Sequence, residues 1–148
     1  MFELQTDDAA WSGSLDNARL GFDLCQVSQV TQSLACFGDR YEERLFTPAE
    51  RAYALRGGSG RADRLAARFA AKEAVIKALR LPEAGVAFTD IEVVKLDDGD
   101  CRIALHGRVA DIARAQGVDR VLLSMSHDGD YAGAFVSVIY KQPQETMA

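Results

Sequence analysis

Apolar and polar positions change period several times along the chain, and each change marks an element. From Ala18 to Leu24 the run Ala-Arg-Leu-Gly-Phe-Asp-Leu is short and apolar, which predicts a buried strand ending near Asp23. Val27, Val30, Leu34 and Phe37 then recur at steps of three and four, one face of a helix over Gln26–Phe37. Its other face carries Gln26, Gln29, Gln32 and Ser33, polar but uncharged. Thr47-Pro-Ala-Glu50 reads as a capping box with proline at the first helical position, starting a helix that runs to about Arg56. Gly57-Gly-Ser-Gly60 interrupts it, because glycine costs about 1 kcal/mol relative to alanine inside a helix.

Asp63 to Arg80 is dense in Ala, Leu, Arg, Lys and Glu, with Leu65, Phe69, Ile76 and Leu79 toward one side, and predicts the longest helix. Pro82 and Gly85 end it. Alternation over Asp90–Leu96 predicts a strand with one wet face, turned by Asp97-Asp-Gly-Asp100 into a second strand, Cys101–His106. A short helix over Arg108–Gln116, closed by Gly117, precedes strands at Val121–Ser126 and Tyr131–Tyr140 joined by Asp128-Gly-Asp130. Residues 1–17 show no period and read as an N-terminal extension to one domain over residues 18–148. Alternating elements that give way to hairpins predict an α+β fold, a mainly antiparallel sheet packed against the long helix.

Charge narrows the partners. Seventeen Lys and Arg against 22 Asp and Glu give a net charge of −5, without the broad positive field that nucleic acid requires. Cys25, Cys36 and Cys101 are odd in number and widely spaced, so they predict neither a disulfide framework nor a Cys-x-x-Cys metal site. No run approaches the ~20 apolar residues of a membrane span, and the acidic N-terminus lacks a signal peptide's pattern, so a cytoplasmic location is expected.

Asp23 lies within an apolar strand, where a carboxylate must be protonated, paired, capping the following helix, or bound to a cation. Glu73 sits mid-helix four residues before Lys77, a spacing that suits a surface ion pair. Arg64, Arg68, Lys72 and Lys77 gather on that helix in an otherwise acidic protein, a local preference for polyanions. Two carboxylates with several cations describe a Mg²⁺–diphosphate site. His127 ends a strand beside a tight turn, where a side chain can reach into a cleft, whereas His106 reads as a strand-end residue.

Gly21-Phe-Asp23, Arg68-Phe-Ala-Ala-Lys-Glu-Ala-Val-Ile-Lys77 and Ser126-His-Asp-x-x-Tyr-Ala132 resemble, in order and spacing, the three signatures of the holo-acyl-carrier-protein synthase group of phosphopantetheinyl transferases. The resemblance runs from Gly21 to about Tyr140 and takes in Phe46-Thr-x-x-Glu50, Asp90-Ile-Glu-Val and Leu105-x-Gly107. It implies the 4′-phosphopantetheinyl transferase fold and transfer of 4′-phosphopantetheine from coenzyme A to a serine of an apo carrier protein, releasing adenosine 3′,5′-bisphosphate. The carrier would belong to fatty acid biosynthesis or to a specialised synthase.

On the same resemblance Asp23 and Glu73 would ligate Mg²⁺, Lys77 would neutralise the diphosphate, and Glu73 would take the serine proton. Arg68, Lys72 and His127 would hold coenzyme A phosphates. Such chains resemble homotrimers whose sites form between subunits, so His127 would serve a site completed by the neighbour's Asp23 and Glu73. One departure concerns docking: Gln26, Gln29 and Gln32 stand where the family's first helix carries an acidic and then basic residues, which leaves Arg40 and Arg44 to meet a carrier. A non-catalytic module binding coenzyme A or a carrier is the alternative, and a plain α+β domain with packing motifs a third. Neither explains why cations and carboxylates share one helix.

Overall fold

The computed structural model describes residues 17–56 and 58–142. The expected N-terminal extension lies outside these residues except for Asn17. Strand β1 (Ala18–Gln26) leads into helices α1 (Val27–Phe37), α2 (Asp39–Leu45), α3 (Pro48–Leu55) and α4 (Arg61–Leu79). A 3-10 turn (Phe88–Asp90) precedes β2 (Ile91–Lys95), β3 (Cys101–Leu105), α5 (Gly107–Ala115), β4 (Val118–Asp128) and β5 (Tyr131–Tyr140). All strand pairings are antiparallel, as expected. They form two sheets: β1-β5-β4 in that order, and the separate hairpin β2-β3.

The capping box read from the sequence is present: Glu50 N donates to Thr47 Oγ1 and Thr47 N to Glu50 Oε1. Helix α2 was not expected. Its seven residues are too few to show a period, and it is held instead by tertiary contacts, with Glu42 buried against Arg51 and Arg61. Strand β1 is also less enclosed than its apolar run suggests. Gly21 and Cys25 are buried, while Leu20, Phe22 and Leu24 on the opposite face are more than half exposed.

Helix α4 packs on β1 and β5 and forms the centre of the core. Its sheet-facing surface is made of Ala70, Ala71, Ala74 and Ala78, all buried, opposite Ala132, Ala134, Val136 and Val138 of β5. Small side chains on both layers let sheet and helix approach closely, and the approach is tightest at Gly21. A Cβ added there would lie 2.9 Å from the Ala74 carbonyl carbon and 3.1 Å from Ala78 Cβ, with the Ala74 oxygen nearer still. Only glycine fits between this strand and this helix.

The other side of α4 is fixed by a buried ion pair. Lys72 and Glu50 are both fully buried, with Lys72 Nζ 2.7 Å from Glu50 Oε1. The ammonium's other donors reach Phe88 O (3.0 Å) and Ile91 O, while Glu50 Oε2 accepts from Val93 N at 3.0 Å. Burial pulls the Lys72 ammonium below its ordinary value, against the attraction of Glu50. With every donor occupied, the pair ties α3, α4 and β2 together.

Two substitutions test this frame by chemical denaturation. Lys72→Met leaves the Glu50 carboxylate buried without its counter-ion and is expected to cost about 3–5 kcal/mol, much of it recovered by adding Glu50→Gln. Gly21→Ala forces strand and helix apart and is expected to cost about 1–3 kcal/mol or more, as overpacked cores do.

Candidate active site

Strand β1 reaches α4 through Gly21 and delivers Asp23, two residues along on the same face, beside the helix's next turn. Lys77 Nζ donates to Asp23 Oδ1 at 2.7 Å and to Phe22 O at 3.0 Å. The pair has one exposed partner: the Lys77 side chain is 54% exposed and that of Asp23 18%. Lys77 therefore pairs with the strand carboxylate rather than with Glu73, its expected partner four residues earlier.

Glu73 accepts no hydrogen bond from any described residue. Burial first, and then the neighbouring Asp23, push its carboxyl above the usual range, with Lys77 opposing. The same negative potential acts on Cys25, whose thiol is pushed up to about 11 by burial, then by Asp23 and Glu73. Cys25 stays protonated here, which makes it a poor nucleophile. Asp23, Glu73 and Lys77 thus converge on one spot as two carboxylates and one ammonium. Among the described residues no three metal-ligating side chains gather. Two carboxylates suffice for a hard cation that fills its remaining positions with water and phosphate oxygens.

Beside this trio opens a cavity of about 850 Å³ between α1, α2 and α4. Cys25 and Phe69 line it at the end nearest the acids, Phe69 lying one turn before Glu73. Phe88 stacks on Phe69 at 5.7 Å between ring centroids. Gln29, Ser33, Arg40 and Arg44 supply the polar part of the wall. Arg40 and Arg44 stand out in the sequence, whereas the cavity does not, because its walls come from segments that only the fold brings together.

Three residues expected at the site lie elsewhere in the chain's own structure. Lys72, expected to hold a coenzyme phosphate, is fully enclosed with its donors spent on Glu50, Phe88 and Ile91, and in this chain it stands in the frame. Arg68 is 3% exposed, stacks over the Tyr53 ring at 4.2 Å, and donates to Arg64 O at 3.2 Å. It faces α3 and does not reach the acids. Arg64 donates to Ala54 O, Arg56 O and Ser59 O and closes the end of α3. Of the five cations on α4, Arg61 pairs with Glu42 and only Lys77 stands at the acids, so the stripe is no general polyanion surface.

His127 is exposed near the end of β4, opposite Ala132, which is itself opposite Cys25. The row Cys25–Ala132–His127 places it two strand spacings, roughly 10 Å, from β1. It lines a shallow depression of about 300 Å³ with Phe22, Leu24 and Tyr131, on the part of the sheet not covered by α4. Within one chain His127 and the acids are separate.

The family model of the 4′-phosphopantetheinyl transferase superfamily matches residues 19–136. A holo-[acyl-carrier-protein] synthase of Gloeobacter violaceus is 42% identical over 121 residues, covering 82% of this chain and 92% of its own. One from Anaeromyxobacter dehalogenans is 47% identical over 120 residues, covering 79% and 91%. The solved ACPS–CoA complex of Chronobacterium ammoniagenes superposes with a TM-score of 0.75 at 33% identity, covering 84% of this chain and 98% of that one. The fold class expected from the sequence is the one these structures share, and the chain belongs to the 4′-phosphopantetheinyl transferase superfamily, in its holo-acyl-carrier-protein synthase group.

Proposed function

We propose that residues 18–148 form a holo-acyl-carrier-protein synthase that transfers 4′-phosphopantetheine from coenzyme A to a carrier serine, with Mg²⁺ as its metal. The observation that carries this reading is the convergence of Asp23, Glu73 and Lys77 where β1 meets α4. Asp23 and Glu73 would hold Mg²⁺, which when bound neutralises diphosphate oxygens and leaves the phosphorus open to attack. Glu73 accepts the proton of the attacking serine hydroxyl. Its raised carboxyl brings it nearer the operating pH, where a general base is most effective. Lys77 offers its half-exposed ammonium to charge developing on the diphosphate as adenosine 3′,5′-bisphosphate departs.

The wall of the large cavity that carries Gln29, Ser33, Arg40 and Arg44 is where we place the acidic carrier. Two arginines and a neutral helix face give it modest electrostatic steering. His127 would meet coenzyme A phosphates in a neighbouring subunit's site. In support of a homotrimer, the open face of the three-stranded sheet exposes Leu20, Phe22, Leu24, Leu122, Tyr131 and Phe135, an apolar patch that calls for a partner. No described helix is long and apolar enough to cross a membrane, and the reaction is assigned to the cytoplasm.

The direct test is the mass of an apo carrier protein after incubation with the enzyme, coenzyme A and Mg²⁺. A gain of one phosphopantetheine that EDTA abolishes is the expected result, and coenzyme A binding with no gain across several carriers would favour a binding module. Glu73→Gln is expected to lower turnover by about 10²–10⁴-fold with the fold intact, and near-normal turnover removes Glu73 from the chemistry. Phe22→Asp places a charge in the apolar sheet face. Light scattering is expected to show monomers, with activity lost alongside assembly, and an active monomer would sink the shared-site reading.

A further inference from the structure

Helix α1 begins without a cap of its own. Its N-cap residue Gln26 makes no side-chain capping bond and its first turn holds no acidic residue. The missing acceptor comes from the turn between β4 and β5. Asp130 Oδ1 accepts from Ser28 N at 2.9 Å and Oδ2 from Ser28 Oγ at 2.6 Å, while Asp130 O accepts from Val27 N at 2.8 Å. Gly129 at φ 55° gives the two-residue turn the left-handed first position it needs, which sets Asp130 over the helix start.

The placement matters because the sheet ends at this point. Gln26 pairs with Tyr131 and Tyr131 with Asp128, the last rung on either side of β5. β4 and β1 never touch as strands, so ladder bonds alone leave the hairpin tip hinged on β5. The three bonds between Asp130 and residues 27 and 28 close that freedom. One end of the latch lies four residues after Asp23, and the other three residues after His127.

We infer that Asp130 is a positioning residue for phosphopantetheine transfer: by binding Ser28 it latches the hairpin that carries His127 onto helix α1 and fixes where His127 is presented. This rests on the reading of His127 as a coenzyme contact. Asp130 touches neither substrate nor metal. It acts through His127, so its loss shows in coenzyme affinity before it shows in chemistry.

The test is steady-state kinetics of the full chain with Asp130→Ala, Asp130→Asn, His127→Ala and the double variant Asp130→Ala/His127→Ala. Asp130→Ala is expected to raise KM for coenzyme A about tenfold, with kcat changed far less and the thermal midpoint near the parent's. Asp130→Asn recovers most of the loss, since its amide oxygen still accepts the Ser28 N–H. In the double variant the latch adds less than about twofold to the effect of His127→Ala, because both act on one contact. An unchanged KM in Asp130→Ala beside an impaired His127→Ala overturns the latch and leaves the reading of His127 standing. Additive losses also overturn it, since Asp130 would then act through α1 alone. If His127→Ala changes nothing, the reading of His127 fails and the inference with it. Should Asp130→Ala fold poorly, Ser28→Ala, which removes only the hydroxyl bond, is expected to move KM the same way by less.

Discussion

Everything at the acidic site depends on how close β1 comes to α4, and that distance is set by the absence of a side chain at Gly21. With the Ala74 backbone filling the space a Cβ would need, the strand's position along and above the helix is fixed. Side chains alternate across a strand and repeat every turn along a helix. Once residue 21 is matched to residue 74, residue 23 must meet the turn that holds Lys77, with Glu73 on the turn before. The meeting of Asp23 with Lys77 follows from this contact and not from attraction between charges, since a half-exposed ion pair contributes about 1 kcal/mol at most.

A strand can hold a helix in register only if the helix is itself fixed from behind. Lys72 does this, one residue from Glu73 and so about 100° round α4 from it, where Glu50, Phe88 and Ile91 take all its donors. The helix therefore uses its cations in two ways. Arg64, Arg68 and Lys72 hold α3 and β2 against it, and Lys77 alone faces the acids. The buried pair is costly to break and contributes little beyond a well-packed apolar pair, so its value lies in defining one position for the helix.

The division of labour along α4 explains how far the sequence could be read. Periodicity located the helix, the strands and the capping box at Thr47, because these follow from local spacing. The acids and Lys77 could be named because their residue types are rare in such surroundings. The place of Lys72 was not legible, since a lysine bound for the core looks the same in sequence as one bound for a phosphate until Glu50, 22 residues away, is seen to meet it. Helix α2 and the cavity it walls were missed for a related reason: seven residues carry no period, and Tyr41 and Phe69 become neighbours of one space only after folding. Asp130 lies further still from local signals. Nothing around Ser28 indicates that its partner is 102 residues away.

The acids and His127 are held to different degrees. The acids stand on a strand and helix locked by Gly21 and by Lys72, whereas His127 stands on a hairpin whose tip would be free without Asp130. Glu73 shows what the rigid end sustains: a half-buried carboxylate beside another carboxylate, unbonded by the described residues and pushed toward protonation. A flexible frame would relieve that conflict by letting the two acids separate. Here they cannot, because moving Asp23 away means lifting β1 off a helix it touches through bare backbone, and moving Glu73 means turning a helix held by three buried bonds. The two carboxylates are therefore kept side by side, and on the proposed reading a cation held between them would offset the charge that Lys77 leaves.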